Sequence, residues 1–244
     1  MDGVKIPVIE IFGPTIQGEG AVIGKKTVFI RTAGCDYQCS WCDSAFTWDG
    51  SGKDEITFMT SEEVMSELER IGFDQFEHVT ISGGNPALLK GLKELIFLIK
   101  QKQLKIGLET QGSVWQDWFL SIDDLTISPK PPSSGMEVDF ETLASIVKRL
   151  EERITQGAVT IKVVIFNDID LQFAKKVHQL FYDVPFYLQV GNDAIFETDE
   201  LQLKLNLLKK LEWLVDKVVS DPDFNRAVVL PQLHTLIWGN KKGV

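Results

Sequence analysis

The sequence predicts an α/β fold in which a parallel sheet with crossover helices curls into a β/α barrel. Three observations carry this. From residue 79 onward, apolar runs of strand length alternate with amphipathic stretches of helix length, which is the pattern of a parallel sheet. Polar and glycine-rich segments follow directly on the strands, and in parallel β/α folds those strand ends share the face where sites form. The 244 residues suit one barrel of about 250. With no fixed-period repeat and no low-complexity linker, a single domain over residues 1–244 is expected.

Residues 8–12 read as a short apolar strand running into Gly13-Pro14-Thr15-Ile16-Gln17-Gly18-Glu19-Gly20. The glycines and proline mark a loop. A plain surface turn stands beside a ligand-binding role, for which Gln17 and Glu19 supply an amide and a carboxylate. Residues 27–32 form a strand through Val28, Phe29 and Ile30. Arg31 follows inside that apolar run, so a surface ion pair and an anion-binding role are both open. Gly34 opens a loop that holds every thiol of the chain, Cys35-Asp36-Tyr37-Gln38-Cys39-Ser40-Trp41-Cys42, and Asp43-Ser44-Ala45-Phe46-Thr47-Trp48 continues it. Residues 54–57 are polar and peripheral.

Thr60-Ser61-Glu62-Glu63 is a capping-box start and Gly72 a stop; Val64, Met65, Leu68 and Ile71 lie between them at core spacing. Strand 79–82 leads to Gly83-Gly84-Asn85-Pro86 and a helix over 87–102. Strand 105–109 ends in Glu109-Thr110-Gln111-Gly112. Strand 125–128 ends in Ser128-Pro129-Lys130-Pro131-Pro132, and a helix over 140–152 follows, capped by Asp139. Strand 159–166 bears Lys162, a helix covers 171–182, and strand 186–190 ends in Gly191-Asn192-Asp193. The cysteine loop and these four strand-end segments therefore converge. A long helix over 199–220 carries the stripe Leu201, Leu205, Leu208, Leu211, Val215 and Val218, either core or a dimer surface. Residues 227–230 form a last strand before Pro231-Gln232-Leu233-His234.

The formal net charge is −10, and Lys25-Lys26 and Lys241-Lys242 are only short basic pairs. No nucleic-acid footprint is visible. Residues 1–10 carry Asp2, Lys5 and Glu10 and lack a signal-peptide hydrophobic region, and no apolar run reaches membrane-spanning length. A cytoplasmic protein with neither nucleic-acid nor membrane partners is expected, in a compartment that keeps thiols reduced. Glu109, ending an apolar strand, needs a partner if buried, and Lys162 can pair with such a carboxylate. His78 and His178 read as ordinary packing residues, as His234 would without its motif.

Three cysteines within eight positions, and none elsewhere, build one site. A structural zinc wants four closed ligands; a non-enzymatic zinc module with His234 as the fourth is one alternative. A disulfide would leave an odd thiol, and a ferredoxin uses four cysteines per cluster. Three thiolates can hold three irons of a 4Fe-4S cluster and leave the fourth iron open to a small molecule.

The CxxxCxxC spacing with an aromatic before the last cysteine resembles the radical S-adenosylmethionine (SAM) family. There the open iron binds the amino and carboxylate groups of SAM, and one electron releases a 5′-deoxyadenosyl radical. Within that class, Thr-Ile-Gln-Gly-Glu-Gly, Arg-Thr-Ala-Gly-Cys, Cys-Asp-Ser, Glu-Thr-Gln-Gly, Ser-Pro-Lys and a late Gln-x-His are together similar to the 7-carboxy-7-deazaguanine synthase family, over nearly the whole chain. Gln-Gly-Glu-Gly with Cys-Asp-Ser is the most specific part. A radical SAM activase of another protein, the alternative within the class, lacks Gln-Gly-Glu-Gly.

The resemblance implies a partial, shortened TIM-like barrel, a homodimer, a flavodoxin-type or similar electron donor, and a Mg2+ requirement. It implies conversion of 6-carboxytetrahydropterin to 7-carboxy-7-deazaguanine with loss of ammonia, toward queuosine and other 7-deazapurines, with SAM restored each turnover. It assigns Cys35, Cys39 and Cys42 to the cluster. Trp41, Cys42, Asp43, Gly84, Ser128, Pro129, Lys130, Gln189, Val190, Gly191 and Asn192 go to the SAM site. Ile16, Gln17, Gly18, Arg31 and Ser82 contact the pterin, Ser44 binds magnesium, and Glu19, Glu109 and His234 serve the rearranging ring. Two features depart from the family: Asn85 stands where Gly-Gly-Glu-Pro is common, and residues 238–244 do not align.

Overall fold

The computed structural model describes residues 4–244; Asp2, read above as part of a polar N-terminus, lies outside them. Nine strands form one sheet in the order β3-β1-β2-β4-β5-β6-β7-β8-β9. They are β1 Ile6–Ile16, β2 Lys26–Thr32, β3 Thr57–Met59, β4 His78–Gly83, β5 Lys105–Thr110, β6 Asp124–Ile127, β7 Val159–Ile165, β8 Phe186–Val190 and β9 Ala227–Leu230. From β2 to β9 every pairing is parallel. β1 is antiparallel to β2 and β3, so the expected parallel pattern does not extend to this edge. Among the described residues no pairing joins β9 to the other end of the sheet, and the barrel is a partial one.

The loop expected from Gly13 begins four residues later. β1 continues to Ile16 through a register shift between Phe12 and Thr15, with Gly13 at φ +118°. Such a bulge bends a strand without ending its pairing, and Thr15 and Ile16 still face Thr27 and Lys26. The polar stretch 54–57 likewise contributes Thr57 to β3, an edge strand on β1.

Alternation along each strand sorts the two faces of the sheet. Val28, Ile30, Val79, Ile81, Ile106, Leu108, Leu125, Ile127 and the odd-numbered residues of β7 pack outward with the helices in one apolar core. Burying each such side chain stabilises by about 1.5–3 kcal/mol. The inner face is polar: Thr27 Oγ1 lies 2.9 Å from both Thr80 Oγ1 and His78 Nδ1, and Thr126 Oγ1 lies 3.4 Å from Thr160 Oγ1.

Among the described residues there are seven helices, α1 Ser61–Ile71, α2 Leu92–Gln101, α3 Phe140–Arg149, α4 Glu151–Thr155, α5 Asp168–Leu180, α6 Glu200–Val219 and α7 Leu233–Trp238, of which α7 lies against the loop after β1. The capping box of α1 is formed in both directions, at 3.2 and 2.7 Å. The helix expected over 87–102 is interrupted. Asn85 caps a separate turn at Pro86–Leu88 through Ala87 N, and α2 starts only after Gly91. The helix expected over 140–152 breaks at Leu150, between α3 and α4. α5 begins at Asp168, before the expected 171, because the Asn167 side chain caps it.

On α6 the buried residues are Leu203, Leu207 and Leu214. The expected stripe is mostly its solvent face: Leu201, Leu205, Leu208 and Val215 are exposed. Only Leu211 and Val218 pack partly against the core. Leucines on two faces leave the periodicity ambiguous.

Two sets of loops approach the inner face. The cysteine loop and the segments after β4, β5, β6 and β8 leave from the C-terminal strand ends. The loop after β1 starts at the other end, because β1 runs antiparallel. It turns inward as a plug. Lys25 Nζ holds Asp124 at the start of β6 at 2.8 Å, and Gly20 N donates to Gln189 Oε1 at 3.4 Å. Leu233 N donates to Gly18 O at 3.0 Å, tying the chain after β9 to this plug.

Candidate active site

Both sets of loops line one cavity of about 590 Å³. The plug supplies Ile16, Gln17, Gly18 and Glu19. The cysteine loop supplies Cys35, Cys39, Trp41, Cys42, Asp43 and Ser44. Strand ends bring Arg31, Ser82, Gly84, Glu109, Lys130 and Asn192, and the chain after β9 brings His234. Ser128, Pro129, Gln189, Val190 and Gly191 are not part of its lining. Ser128 is buried and accepts from Lys130 Nζ at 3.2 Å; the Gln189 side chain turns to the plug.

The three thiols are free. Burial pushes all of them up from the ordinary thiol range, Cys39 to about 11, so a bound metal must displace their protons. Cys35 Sγ accepts from Tyr37 N at 3.4 Å and Gln111 Nε2 at 3.7 Å, and Cys42 Sγ from Trp48 Nε1 at 3.4 Å. Donors to sulfur tune a cluster's potential. Gln111 and Trp48 had no assigned role in the sequence, although both stand in segments singled out there. Among the described residues, the trio of potential ligand atoms gathered within 4.8 Å is Glu19, Asp43 and His234, not the cysteines. His234, the fourth ligand that a zinc module would need, keeps company with carboxylates.

A shelf beside the cysteines is built from the far side of the sheet. Trp41 Nε1 donates to Ser133 Oγ at 3.0 Å, and the Trp41 ring lies 4.8 Å from that of Phe166. Both flanking residues are fixed by Asp170, fully buried at the start of α5, which accepts from Ser133 N and Phe166 N at 3.0 Å each. On the other side, a Cβ at Gly84 would fall 2.2 Å from Gly34 O, so only glycine lets these two loops meet. Asn85 is buried and does not line the cavity. It donates to Asp36 and Ser113 and accepts from Thr110, tying the cysteine loop to β5.

The Glu19 carboxylate, which lies within 4.8 Å of Asp43, is also held by Lys162, whose Nζ contacts Glu19 Oε2 at 2.6 Å and Glu109 Oε2 at 2.8 Å. Burial works to raise the Glu19 carboxyl, but Lys162 and then His234 outweigh it and hold it below the carboxylate range. Burial works to lower Lys162, and the two carboxylates hold it above the lysine range. Gln232 Nε2 donates to Glu19 Oε1 at 3.0 Å, and His234 Nε2 lies 3.9 Å from the same oxygen.

On the cavity wall Arg31 Nε pairs with Glu10, and Nη1 donates to Ser44 Oγ at 3.2 Å. The ion pair is one reading of Arg31; its position on the cavity wall keeps the other. Ser44 Oγ also donates to Asp43 Oδ1 at 3.0 Å. A hydroxyl beside a carboxylate is an oxygen donor set of the kind a hard cation takes. Ser82 Oγ is buried with no hydrogen-bond partner among the described residues. Residues 240–244, which did not align, reach the cavity, with Lys242 Nζ 3.7 Å from the Phe46 ring centroid.

Comparison with known proteins agrees with this architecture. The model of the Radical SAM superfamily matches residues 29–150. The chain is 64% identical over 239 residues to the 7-carboxy-7-deazaguanine synthase of Bacillus subtilis, covering 98% of both chains. It is 57% identical over 240 residues to that of Bacillus cereus, covering 98% of this chain and 99% of that one. The crystal structure of QueE from Escherichia coli shares the fold, with a TM-score of 0.68 at 21% identity over 94% of this chain and 95% of that one. A three-thiol loop without a fourth ligand, set in a partial β/α barrel, and this identity over the full length place the chain in the 7-carboxy-7-deazaguanine synthase family of the radical SAM superfamily.

Proposed function

We propose that this cavity converts 6-carboxy-5,6,7,8-tetrahydropterin to 7-carboxy-7-deazaguanine with loss of ammonia, as one radical SAM domain over residues 1–244. One observation carries the reading: the three-thiol loop and the carboxylates Glu19 and Glu109, bridged by Lys162, line the same cavity. Cys35, Cys39 and Cys42 hold the 4Fe-4S cluster. Trp41, Asp43, Gly84, Lys130 and Asn192 face SAM, with Ser128, Pro129 and residues 189–191 forming the wall behind them. When bound, these cofactors would supply a primary alkyl radical, whose chemistry calls for exclusion of water.

Ile16, Gln17, Gly18 and Ser82 hold the pterin, and the free edge of Arg31 takes its carboxylate from two points. Ser44, beside Asp43, is the protein's ligand to Mg2+. Glu19, Glu109 and His234 hold and move protons at the ring nitrogen that leaves. No helix among the described residues is long and apolar enough to cross a membrane. The enzyme works in the cytoplasm on a small molecule, with electrons from a flavodoxin-type donor. It pairs as a homodimer, and the exposed stripe Leu201, Leu205, Leu208, Val215 and Val219 supports α6 as the contact.

The test is anaerobic turnover. Reconstituted enzyme with SAM, Mg2+, a reductant and the pterin gives 7-carboxy-7-deazaguanine and ammonia by mass spectrometry and ammonia assay. Cleavage of SAM without that product overturns the reading. Light scattering checks the dimer, and Leu205→Glu with Leu208→Glu breaks it.

A further inference from the structure

The roles above leave one buried charge without a task. The side chain of Lys162 is 1% exposed, on the inner face of β7. An unpaired buried ammonium costs several kcal/mol, and a lysine kept only for the fold is replaceable by an apolar residue of similar size. Lys162 bridges two carboxylates that are remote in sequence, one on the plug and one at the end of β5. Each gives it a single oxygen. The second oxygen of Glu19 is taken by Gln232 and faces His234. Oε1 of Glu109 accepts no hydrogen bond among the described residues, and the Glu109 side chain is 33% exposed on the cavity wall.

We propose that Lys162 is a positioning residue for the reaction: by bridging Glu19 and Glu109 it fixes which carboxylate oxygen faces the bound pterin, and keeps that oxygen an acceptor for ring N–H donors. This rests on the reading that the cavity takes the pterin. Without the ammonium, the Glu19 and Glu109 carboxylates lose the cation they share, the Asp43 carboxylate lies within 4.8 Å of Glu19, and His234, 3.9 Å from Glu19 Oε1, is the one basic group left beside them among the described residues. Taking the shared cation from neighbouring carboxylates favours uptake of a proton by one of them. An oxygen that accepted then donates, and the substrate's N–H group is left unmatched. An unmatched buried polar group costs about 1–3 kcal/mol, roughly 10- to 100-fold in binding.

The experiment compares reconstituted wild-type, Lys162→Met and Lys162→Arg enzymes. In Lys162→Met, iron content and SAM binding stay at wild-type levels while KM for the pterin rises about 10- to 100-fold. Its kcat/KM gains an acid limb near neutral pH, because the protonated pair is the inactive form. Lys162→Arg keeps the charge and shifts the carboxylates, so KM rises with no new limb. Difference infrared spectra at pH 7 show a protonated carboxyl band in Lys162→Met that a second substitution, Glu19→Gln, removes. A Lys162→Met enzyme with wild-type KM and pH profile overturns the proposal. Should that variant not load iron, Lys162→Arg decides, and a wild-type KM there overturns it equally. Failure of the wild type to make 7-carboxy-7-deazaguanine sinks the functional reading instead, and the infrared band still scores the lysine.

Discussion

Gly18 and His234 touch so closely that a Cβ on residue 18 would lie 2.3 Å from His234 Nδ1 and 2.7 Å from its backbone nitrogen. This contact, with the Leu233 N to Gly18 O hydrogen bond, joins the plug to the chain after β9. Gly18→Ala must push α7 outward, and overpacking of this kind costs about 1–3 kcal/mol. The displacement separates His234 from Glu19. We expect turnover to fall at least about tenfold, consistent with that cost, while iron content stays intact, read by iron assay beside steady-state kinetics. Full activity in Gly18→Ala would show that α7 yields freely.

The cysteine loop gives a sharper outcome. Changing any one of Cys35, Cys39 or Cys42 to alanine removes one of three protein ligands, since no fourth thiol exists in the chain. Anaerobically prepared wild type is expected to be brown with about four irons per chain, as a 4Fe-4S cluster requires. Each alanine variant loses SAM cleavage. Stoichiometric zinc in the anaerobically reconstituted wild type would refute the cluster.

Much of this was legible because it is local. The thiol spacing, the Thr60 capping box and the exact run of β8 are set by neighbouring residues, and sequence alone places them. The strand–loop alternation also located the face where five segments meet. What escaped depends on distant partners. Nothing within residues 13–16 announces that, past a bulge, Thr15 and Ile16 stay paired to Thr27 and Lys26. That pairing turns the Gln17–Glu19 loop inward from the opposite end of the barrel. Glu19 and Lys162 are 143 residues apart, and the sequence offered Lys162 only as a partner for Glu109, so the bridge to Glu19 escaped it. α6 offered two leucine faces, and only its packing against the sheet chose Leu203, Leu207 and Leu214.

The base of the barrel supplies a pH test away from the cavity. Asp124 contacts Lys25 Nζ at 2.8 Å and lies 3.3 Å from His78 Nε2. Burial works to raise its carboxyl, and His78 and Lys25 outweigh this and pull it to about 2. A carboxylate depressed in the folded state adds stability above its unfolded pKa, near 4, and loses it as pH falls toward 2. The shift corresponds to about 2 kcal/mol. Asp124→Asn should therefore be less stable than wild type by roughly that amount at pH 7. The gap should close between pH 4 and 2. Urea unfolding of the iron-free chain across pH measures it, and a constant gap would rule out the ion pair as its source.

Ser44 is two residues past Cys42, so one loop carries a cluster ligand and a hydroxyl facing the substrate region. Ser44→Ala removes that hydroxyl and also the acceptor for Arg31 Nη1. Turnover and its response to Mg2+ should both fall, with iron content unchanged. If the Mg2+ titration curve is the same as in wild type, Ser44 is not the ligand.

Asp170 never contacts the cavity, yet it sets the shelf on which Trp41 rests. Its two oxygens accept from Ser133 N and Phe166 N, and those residues hold Trp41 by a hydrogen bond and by ring packing. Asp170→Asn keeps the size but turns one acceptor into a donor. An amide N–H then faces a backbone N–H in a fully buried place, at a cost of about 1–3 kcal/mol. The strain falls on one flank of Trp41, and because Trp41 lies beside Cys42 it falls on the proposed SAM site. We expect KM for SAM to rise about tenfold, as that cost implies. KM for the pterin, held by the plug, stays within about twofold, an allowance smaller than one lost hydrogen bond. Calorimetric titration of the reconstituted enzyme with SAM checks the first, and steady-state kinetics the second. Equal loss of both affinities would mean that Asp170 supports the barrel as a whole and not the Trp41 shelf.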